Sequence, residues 1–304
     1  MMSATETILP KENIPRAMVL ILIVIGILGL QDAVSKLLVQ TYSPFQVTMM
    51  RYWAFAAFSL ILVARQAPLR QALRSKVPGW QVVRGLLLMG DIWLFALALQ
   101  TVPLAELQSI SLIYPLLVTL FAIPLLGERV GMFRLIAVAV GFLGAMVIVR
   151  PGGLPITIGA GFAVASSTLY ALYIVVTRKV AQMDSAPTSM VYASLIGLVL
   201  STAVGVFYWQ PIWGVDLALM VLLMFTTTVG HGLMMLALSM APASVLQPFN
   251  YFSLPWAIFL SFAMFGHLID PISLGGAAII VAAGLVVVAR ERVRKVPQII
   301  DAPH

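Results

Sequence analysis

The chain has 304 residues, 61% of them apolar and only 10% charged, with a formal net charge of +7. A soluble domain carries roughly a quarter charged residues, so this composition excludes a water-soluble globular protein and requires lipid contact over most of the surface. There is no cysteine, which excludes disulfides and thiolate metal sites. The basic residues fall at helix ends rather than in a patch with interleaved aromatics, which argues against nucleic acid as a partner.

A bilayer core needs about 20 apolar residues in a helix. Taken in chain order, the first such run is 17–39, and with further spans behind it no cleavable signal peptide is needed. The second is 45–64, followed by the longest connection, 65–81, whose Arg65, Arg70, Arg74 and Lys76 suit a short interfacial helix. Runs 82–101 and 104–125 are joined by the tight Thr101-Val102-Pro103 turn, and 131–149 completes a first set of five. Runs 156–179, 189–208 and 215–239 follow, then 243–265 after Met240-Ala241-Pro242, then 272–290. The reading is an all-α membrane protein of ten transmembrane helices. With both termini in the cytoplasm, fifteen of the eighteen Lys and Arg residues gather at the inner ends, leaving Lys36, Arg51 and Arg150 at the other side.

The second half echoes the first. Residues 95–105 read FALALQTVPLA and residues 234–244 read MMLALSMAPAS, so Leu97-Ala98-Leu99 meets Leu236-Ala237-Leu238 and Pro103 meets Pro242. Gln108 falls on Gln247, Gly127 on Gly266, Pro115 on Pro255 and Gly144 on Gly284. Five spans per repeat is an odd number, so the halves must cross the membrane in opposite senses. Inverted-topology repeats of this kind are typical of transporters, with cargo held near the midplane between the halves. The expected division is a cytoplasmic tail 1–16, a first repeat 17–150, a second repeat 151–290 and a cytoplasmic tail 291–304.

The run from Phe95 through Pro103 and Pro115 to Gly127-Glu128-Arg129, then Gly141-Phe142-Leu143-Gly144 and Arg150-Pro151, resembles the EamA-type half of the drug/metabolite transporter superfamily. The segment from Pro242 through Pro255 and Gly266 to Gly284 resembles the same unit, with His267 where an acidic residue is usual. The resemblance implies ten helices in the bacterial inner membrane and export or exchange of small metabolites by alternating access. Within the superfamily it is most similar to exporters of amino acids, including aromatic ones.

Polar groups at membrane depth face a cavity or one another. In the fourth span Gln108, Ser111, Pro115 and Thr119 share one helical stripe, and Gln247 and Asn250 occupy repeat-related positions in the ninth, with Tyr251 beside them. Interhelical packing bonds are the competing reading. In the sixth span Ser166, Tyr170, Tyr173 and Thr177 fall on one face, so Tyr170 and Tyr114 are expected as ring contacts for cargo, with Trp93 next. The expected substrate-binding set is thus Gln108, Ser111, Tyr114, Tyr170, Gln247, Asn250, Tyr251 and Trp93. Pro115 and Pro255 each remove a helical hydrogen bond, freeing the carbonyls of Ser111 and Tyr251 and offering hinges.

Among ionisable residues within spans, Asp32 and Lys36 are one turn apart and expected to pair, forming with Arg51 and Glu106 a neutralised outer cluster. Asp91 and His231 lie deeper on repeat-related helices and are candidates for proton coupling. A membrane enzyme would need a nucleophile beside a base or a metal set, and His231, His267 and His304 are far apart. No phosphate-binding glycine loop is present, and a channel would call for rings of like groups. The expected protein is a carrier, not an enzyme. Its partners are a small neutral or zwitterionic solute and the bilayer, and it has no cofactor.

Overall fold

The computed structural model describes residues 13–66, 68–127, 132–149, 158–241 and 246–294, and within them all regular structure is helical. Helix α1 covers Ile14–Thr41, α2 Pro44–Gln66, α3 Leu69–Ala72, α4 Pro78–Thr101, α5 Leu104–Ser111, α6 Tyr114–Leu126, α7 Met132–Val149 and α8 Ile158–Val180. Helix α9 covers Ala186–Gly205 and α10 Gly214–Met240. A 3-10 segment Gln247–Phe252 leads into α11 Ser253–Phe265, and α12 Pro271–Arg294 follows. Residues Glu128, Arg129, Arg150, Pro151 and Pro242 of the repeat motif lie outside the described set.

Proline and short polar side chains mark where helices begin. Pro15, Pro44, Pro78, Pro187 and Pro271 all fall in first turns, where an amide N–H has no intrahelical partner to lose. Asn13 caps α1 by accepting from the Arg16 amide at 3.2 Å, and Ser185 caps α9 by accepting from Thr188 at 3.3 Å. Asp270 accepts from the amides of Ile272 and Ser273 at the start of α12. Left-handed glycines stop α6 and α11: Gly127 has φ 69° and Gly266 φ 64°, a region a side chain would strain. The arginine-rich connection contains one short helix, α3.

Seven stretches are long and apolar enough to cross a bilayer: Ile14–Thr41, Pro44–Arg65, Pro78–Thr101, Leu104–Leu126, Ile158–Val180, Ala186–Tyr208 and Gly214–Met240. Three shorter apolar helices, Leu135–Val149, Phe249–Phe265 and Pro271–Val287, accompany them. The outer surface suits lipid. Phe207 is 84% exposed, Phe225, Phe259 and Phe262 are all more than half exposed, and water would penalise such a surface.

The helices pair in a repeating manner. Helix α1 packs along α10 as α4 packs along α8, α2 lies on α9, and α7 lies on α12. One core runs through the middle, from Val34 and Leu38 through Leu99, Leu107 and Leu116 to Met220, Leu223 and Ile280. The half-helices α5 and α11 touch each other, whereas α6 turns toward α8 and α7, and the 3-10 segment turns toward α1.

The bundle has two chemically different ends. At the basic end, which carries Arg65, Arg74, Lys76, Arg178 and Lys179, Asp184 ties the α8–α9 turn to the start of α4. It accepts from Ser75 Oγ at 2.5 Å, from the Lys76 amide at 2.7 Å and from Gln81 Nε2 at 2.8 Å. Burial pushes the Asp184 carboxyl up, but these bonds and the Lys76 charge outweigh it and hold it below the usual carboxylate range. Arg84, one of the charges behind the expected orientation, is buried. It donates to Gln81 Oε1 at 3.1 Å and to the Ser189 carbonyl, fastening α9 to α4.

At the opposite end Gln46 exchanges two bonds with the Gln210 backbone, and Tyr42 donates to Asp216 at 2.9 Å. Lys36 donates to the carbonyls of Leu99 and Val102 at 2.8 and 2.7 Å, where the end of α4 gathers partial negative charge. The expected Asp32–Lys36 pair therefore does not form. The flexible lysine stem reaches the helix end instead. Glu106 meets His267 at 2.8 Å, joining α5 to the turn after α11.

Candidate functional site

The fourth and ninth apolar stretches change helical form at equivalent points. Helix α5 ends at Ser111 and α6 restarts at Tyr114, while the 3-10 turn ends at Phe252 and α11 starts at Ser253. Pro115 and Pro255 each sit in the first turn of the restarted helix. A continuous helix would lose a bond and clash at either proline, and restarting removes both costs. The backbone keeps right-handed helical angles at Leu112, Ile113, Phe252 and Ser253, so each stretch is locally distorted at its proline rather than cut. The single stripe through Gln108, Ser111 and Thr119 is interrupted, and the hydroxyls of Ser111 and Thr119 turn back to the carbonyls of Leu107 and Pro115.

Around these points the two parts of the chain meet through polar side chains. Gln108 Nε2 donates to Ser253 Oγ at 3.0 Å, and Asn250 Nδ2 donates to the Tyr114 hydroxyl at 3.3 Å. The side chain of Gln247 lies outside the described set. Tyr251 packs with its hydroxyl over Gly284, where a Cβ would come within 1.6 Å of that oxygen. Only a glycine on α12 leaves room for the ring.

Aromatic rings line the α8 side. Tyr114 meets Tyr170 edge-on at 4.9 Å, and Tyr170 stacks with Tyr173 at 5.9 Å. On the same face Ser166 Oγ donates to Asp91 Oδ1 at 2.6 Å, and the Arg84 guanidinium lies 5.8 Å over the Tyr173 ring. The face of α8 that carries Ser166, Tyr170 and Tyr173 is therefore turned toward α4 and α6. Trp93 is not in this group. It meets Phe45 edge-on at 5.6 Å, and its indole N–H is buried without a partner.

The charged groups divide differently from the sequence expectation. Arg51 on α2 interacts electrostatically with both Asp32 on α1 and Asp91 on α4, and His231 on α10 faces the same guanidinium. Asp91 and His231 bond to different partners, Asp91 to Ser166 and His231 to the Thr227 carbonyl. His231 places Nδ1 2.8 Å from the Thr227 carbonyl and its ring 5.2 Å from Phe55. Arg51 belongs with these inner groups and not with Lys36 and Glu106. Its position seven residues into α2 looked peripheral, but a long side chain reaches inward from there. Asp32, Arg51 and Asp91 are all half-buried, and no group of three metal-ligating side chains occurs among the described residues.

The sequence matches the EamA-like transporter family twice, over residues 15–150 and 157–289. It is 29% identical over 238 residues to the riboflavin transporter of Vibrio cholerae serotype O1, covering 77% of this chain and 79% of that protein. It is 25% identical over 263 residues to the S-adenosylmethionine uptake transporter of Rickettsia felis, covering 86% of this chain and 88% of that one. A solved crystal structure superposes with a TM-score of 0.62 at 19% identity, covering 93% of this chain and 99% of its own.

Proposed function

The chain belongs to the EamA-like transporter family, and from that premise we propose that it carries a small metabolite with a planar ring and a polar tail by alternating access. Riboflavin and S-adenosylmethionine, the solutes named for its relatives, both join a flat nitrogen heteroaromatic ring to a hydroxyl-bearing group, an open ribityl chain in one and a ribose in the other. Aromatic amino acids, the narrower expectation from the sequence, share only the ring and a compact zwitterion. The observation that carries the reading is the tyrosine group. Tyr114, Tyr170 and Tyr173 present ring faces and hydroxyls, and Asn250 reaches Tyr114 from the 3-10 segment. Such a lining takes a flat amphipathic solute by stacking and orients it by hydrogen bonds.

The architecture that goes with this reading is ten spans in two inverted repeats, 17–150 and 151–290, in a bacterial inner membrane with both termini cytoplasmic. The double family match, the paired packing of α1 with α10 and α4 with α8, and the positive-charge bias support it. The halves would rock about the distorted stretches, with Pro115 and Pro255 as hinges and cargo held among Gln108, Ser111, Tyr114, Tyr170, Asn250 and Tyr251.

The test is uptake of labelled riboflavin and of labelled S-adenosylmethionine into proteoliposomes of the purified chain, with unlabelled tryptophan and phenylalanine as competitors. Saturable flux of either ring-bearing solute, lowered about tenfold in Tyr170→Ala with folded protein unchanged, is the expected result. Flux competed only by amino acids would return the cargo to the zwitterion reading. Unchanged flux in both Tyr170→Ala and Asn250→Ala would remove the site.

A further inference from the structure

We propose that Arg84 is a positioning residue for the tyrosine group: it fixes Tyr173 while the basic end is shut and frees it when that end opens. Arg84 lies in the second turn of α4 and is 4% exposed. Its Nε donates to Gln81 Oε1 at 3.1 Å, one turn back on the same helix, and its Nη2 donates to the Ser189 carbonyl near the start of α9. Gln81 is fully buried and joins the same fastening. Its Nε2 donates to Asp184 at 2.8 Å and to Ser189 Oγ at 3.2 Å. One small group of side chains thus ties α4 to α9 and to the turn before it.

The same guanidinium meets the rings. Its Cζ lies 5.8 Å over the Tyr173 ring, within the range of a cation–aromatic attraction. Tyr173 stacks with Tyr170 at 5.9 Å, Tyr170 meets Tyr114 edge-on at 4.9 Å, and Asn250 donates to the Tyr114 hydroxyl at 3.3 Å. Arg84 is therefore the inner end of an unbroken row of contacts that reaches the 3-10 segment Gln247–Phe252.

Two chemical features tie the row to the state of the basic end. The hydrogen bonds to Gln81 and Ser189 go to neutral acceptors, and Asp184 is bonded to Gln81. A buried cation held by neutral acceptors keeps its place only while they stay. When α9 moves away from α4 the Ser189 carbonyl leaves, and the guanidinium turns to another acceptor and gives up the Tyr173 ring. The second feature is the shape of arginine. A planar guanidinium serves acceptors along its edge while its face covers a ring, whereas a lysine ammonium is a point charge with no face. Helices α4 and α9 also have no slack at this level, since a Cβ on Gly85 would come within 2.7 Å of Ile196. The rings are thus set for cargo with the basic end shut and relax as it opens, which lets cargo go toward that end.

This inference rests on the carrier reading, yet a readout without solute decides it. The chain has no cysteine, and Thr177, one turn beyond Tyr173 on α8, has a buried hydroxyl without a partner, so Thr177→Cys places a small reporter beside the row. In the full-length protein in proteoliposomes, Arg84→Lys should speed the reaction of this cysteine with an impermeant thiol reagent from the basic side about tenfold. Tyr173→Leu should speed it as well, and adding Arg84→Lys to Tyr173→Leu should speed it no further. Gly85→Ala keeps Arg84 but wedges α4 from α9. It should give the same rise, and it replaces Arg84→Lys if that variant does not fold. Riboflavin, as the ring-bearing probe, should bind about tenfold more weakly in Arg84→Lys, and the difference should vanish in the Tyr173→Leu background. An unchanged reaction rate, or the same rise from Arg84→Lys with and without the Tyr173 ring, would overturn the inference. Equal riboflavin affinity in the wild type and Arg84→Lys would overturn it too. A wild-type protein that binds no riboflavin would instead count against the proposed cargo, and the cysteine measurement would still decide the role of Arg84.

Discussion

The two ends of the bundle are fastened by opposite means. At the basic end a single carboxylate, Asp184, gathers three donors from the turn before α4 and from α4 itself. At the other end the fastening groups are charged side chains on helices. Lys36 serves the carbonyls at the end of α4, and Glu106 reaches His267. The difference bears on the proposed alternating access, in which each end would open in turn. The Asp184 hub gathers its donors around one acceptor on a turn, whereas Lys36 and Glu106 each fasten a helix to the end of a different element. The two ends also join different partners: α4 to the α8–α9 turn at one, α5 to the turn after α11 at the other.

The chain has no cysteine, so single engineered cysteines can report which end is open. The largest effect is expected from Glu106→Ala, which leaves Lys36 and His267 without their acid at the end away from the basic residues. A cysteine at Tyr251 should then react about tenfold faster with a membrane-impermeant thiol reagent applied at that side. Equal reactivity from both sides would show that the pair does not close this end.

The next effect is smaller and opposite in sense. Asp184→Asn removes a charged acceptor and should cost about 1–2 kcal/mol, read as a fall of a few degrees in the melting temperature of the purified protein. The same cysteine should become more reactive from the basic side. A melting temperature within error of the wild type would make the Asp184 hub incidental.

A pH series sharpens the comparison. The Asp184 carboxyl is held below its ordinary range in the folded chain. Its stabilisation is therefore fully present above the ordinary carboxylate pKa and is lost as pH falls through the depressed folded value. Melting temperature should drop with acidification in the wild-type protein and drop less in Asp184→Asn. Parallel curves for the two proteins would contradict the hub. The smallest effect is expected from Trp53→Phe, which removes an exposed bond from the indole N–H to Thr202 Oγ1 at 2.9 Å. It should change stability by less than about 0.5 kcal/mol and leave both accessibilities unchanged.

Much of the helix plan was legible because lipid imposes a simple rule. Every backbone group in the bilayer core must be satisfied within its own helix, so apolar length and proline position mark the segments directly. Prolines in first turns and glycines at φ 69° and 64° could be placed from residue type. The face of α8 bearing Ser166, Tyr170 and Tyr173 was legible too, since helical periodicity alone puts them together. The distortions at Pro115 and Pro255 were half legible. Proline forbids a continuous ladder, but whether a helix kinks or restarts depends on what the neighbouring half-helices offer.

The charged groups were the least legible. Sequence spacing paired Asp32 with Lys36 because they lie one turn apart. The structure separates them because Lys36 finds the carbonyls of Leu99 and Val102 at the end of another helix. Arg84 read as an orientation charge, yet it is buried against Ser189 and Tyr173. What the sequence alone determined was that the chain is a multi-spanning helical membrane protein with an internally repeated pattern. Those properties follow from composition and from periodicity along one helix at a time. Which polar groups meet at each end and which rings meet were decided only by the tertiary structure, because long side chains reach across helices that sequence spacing cannot bring together.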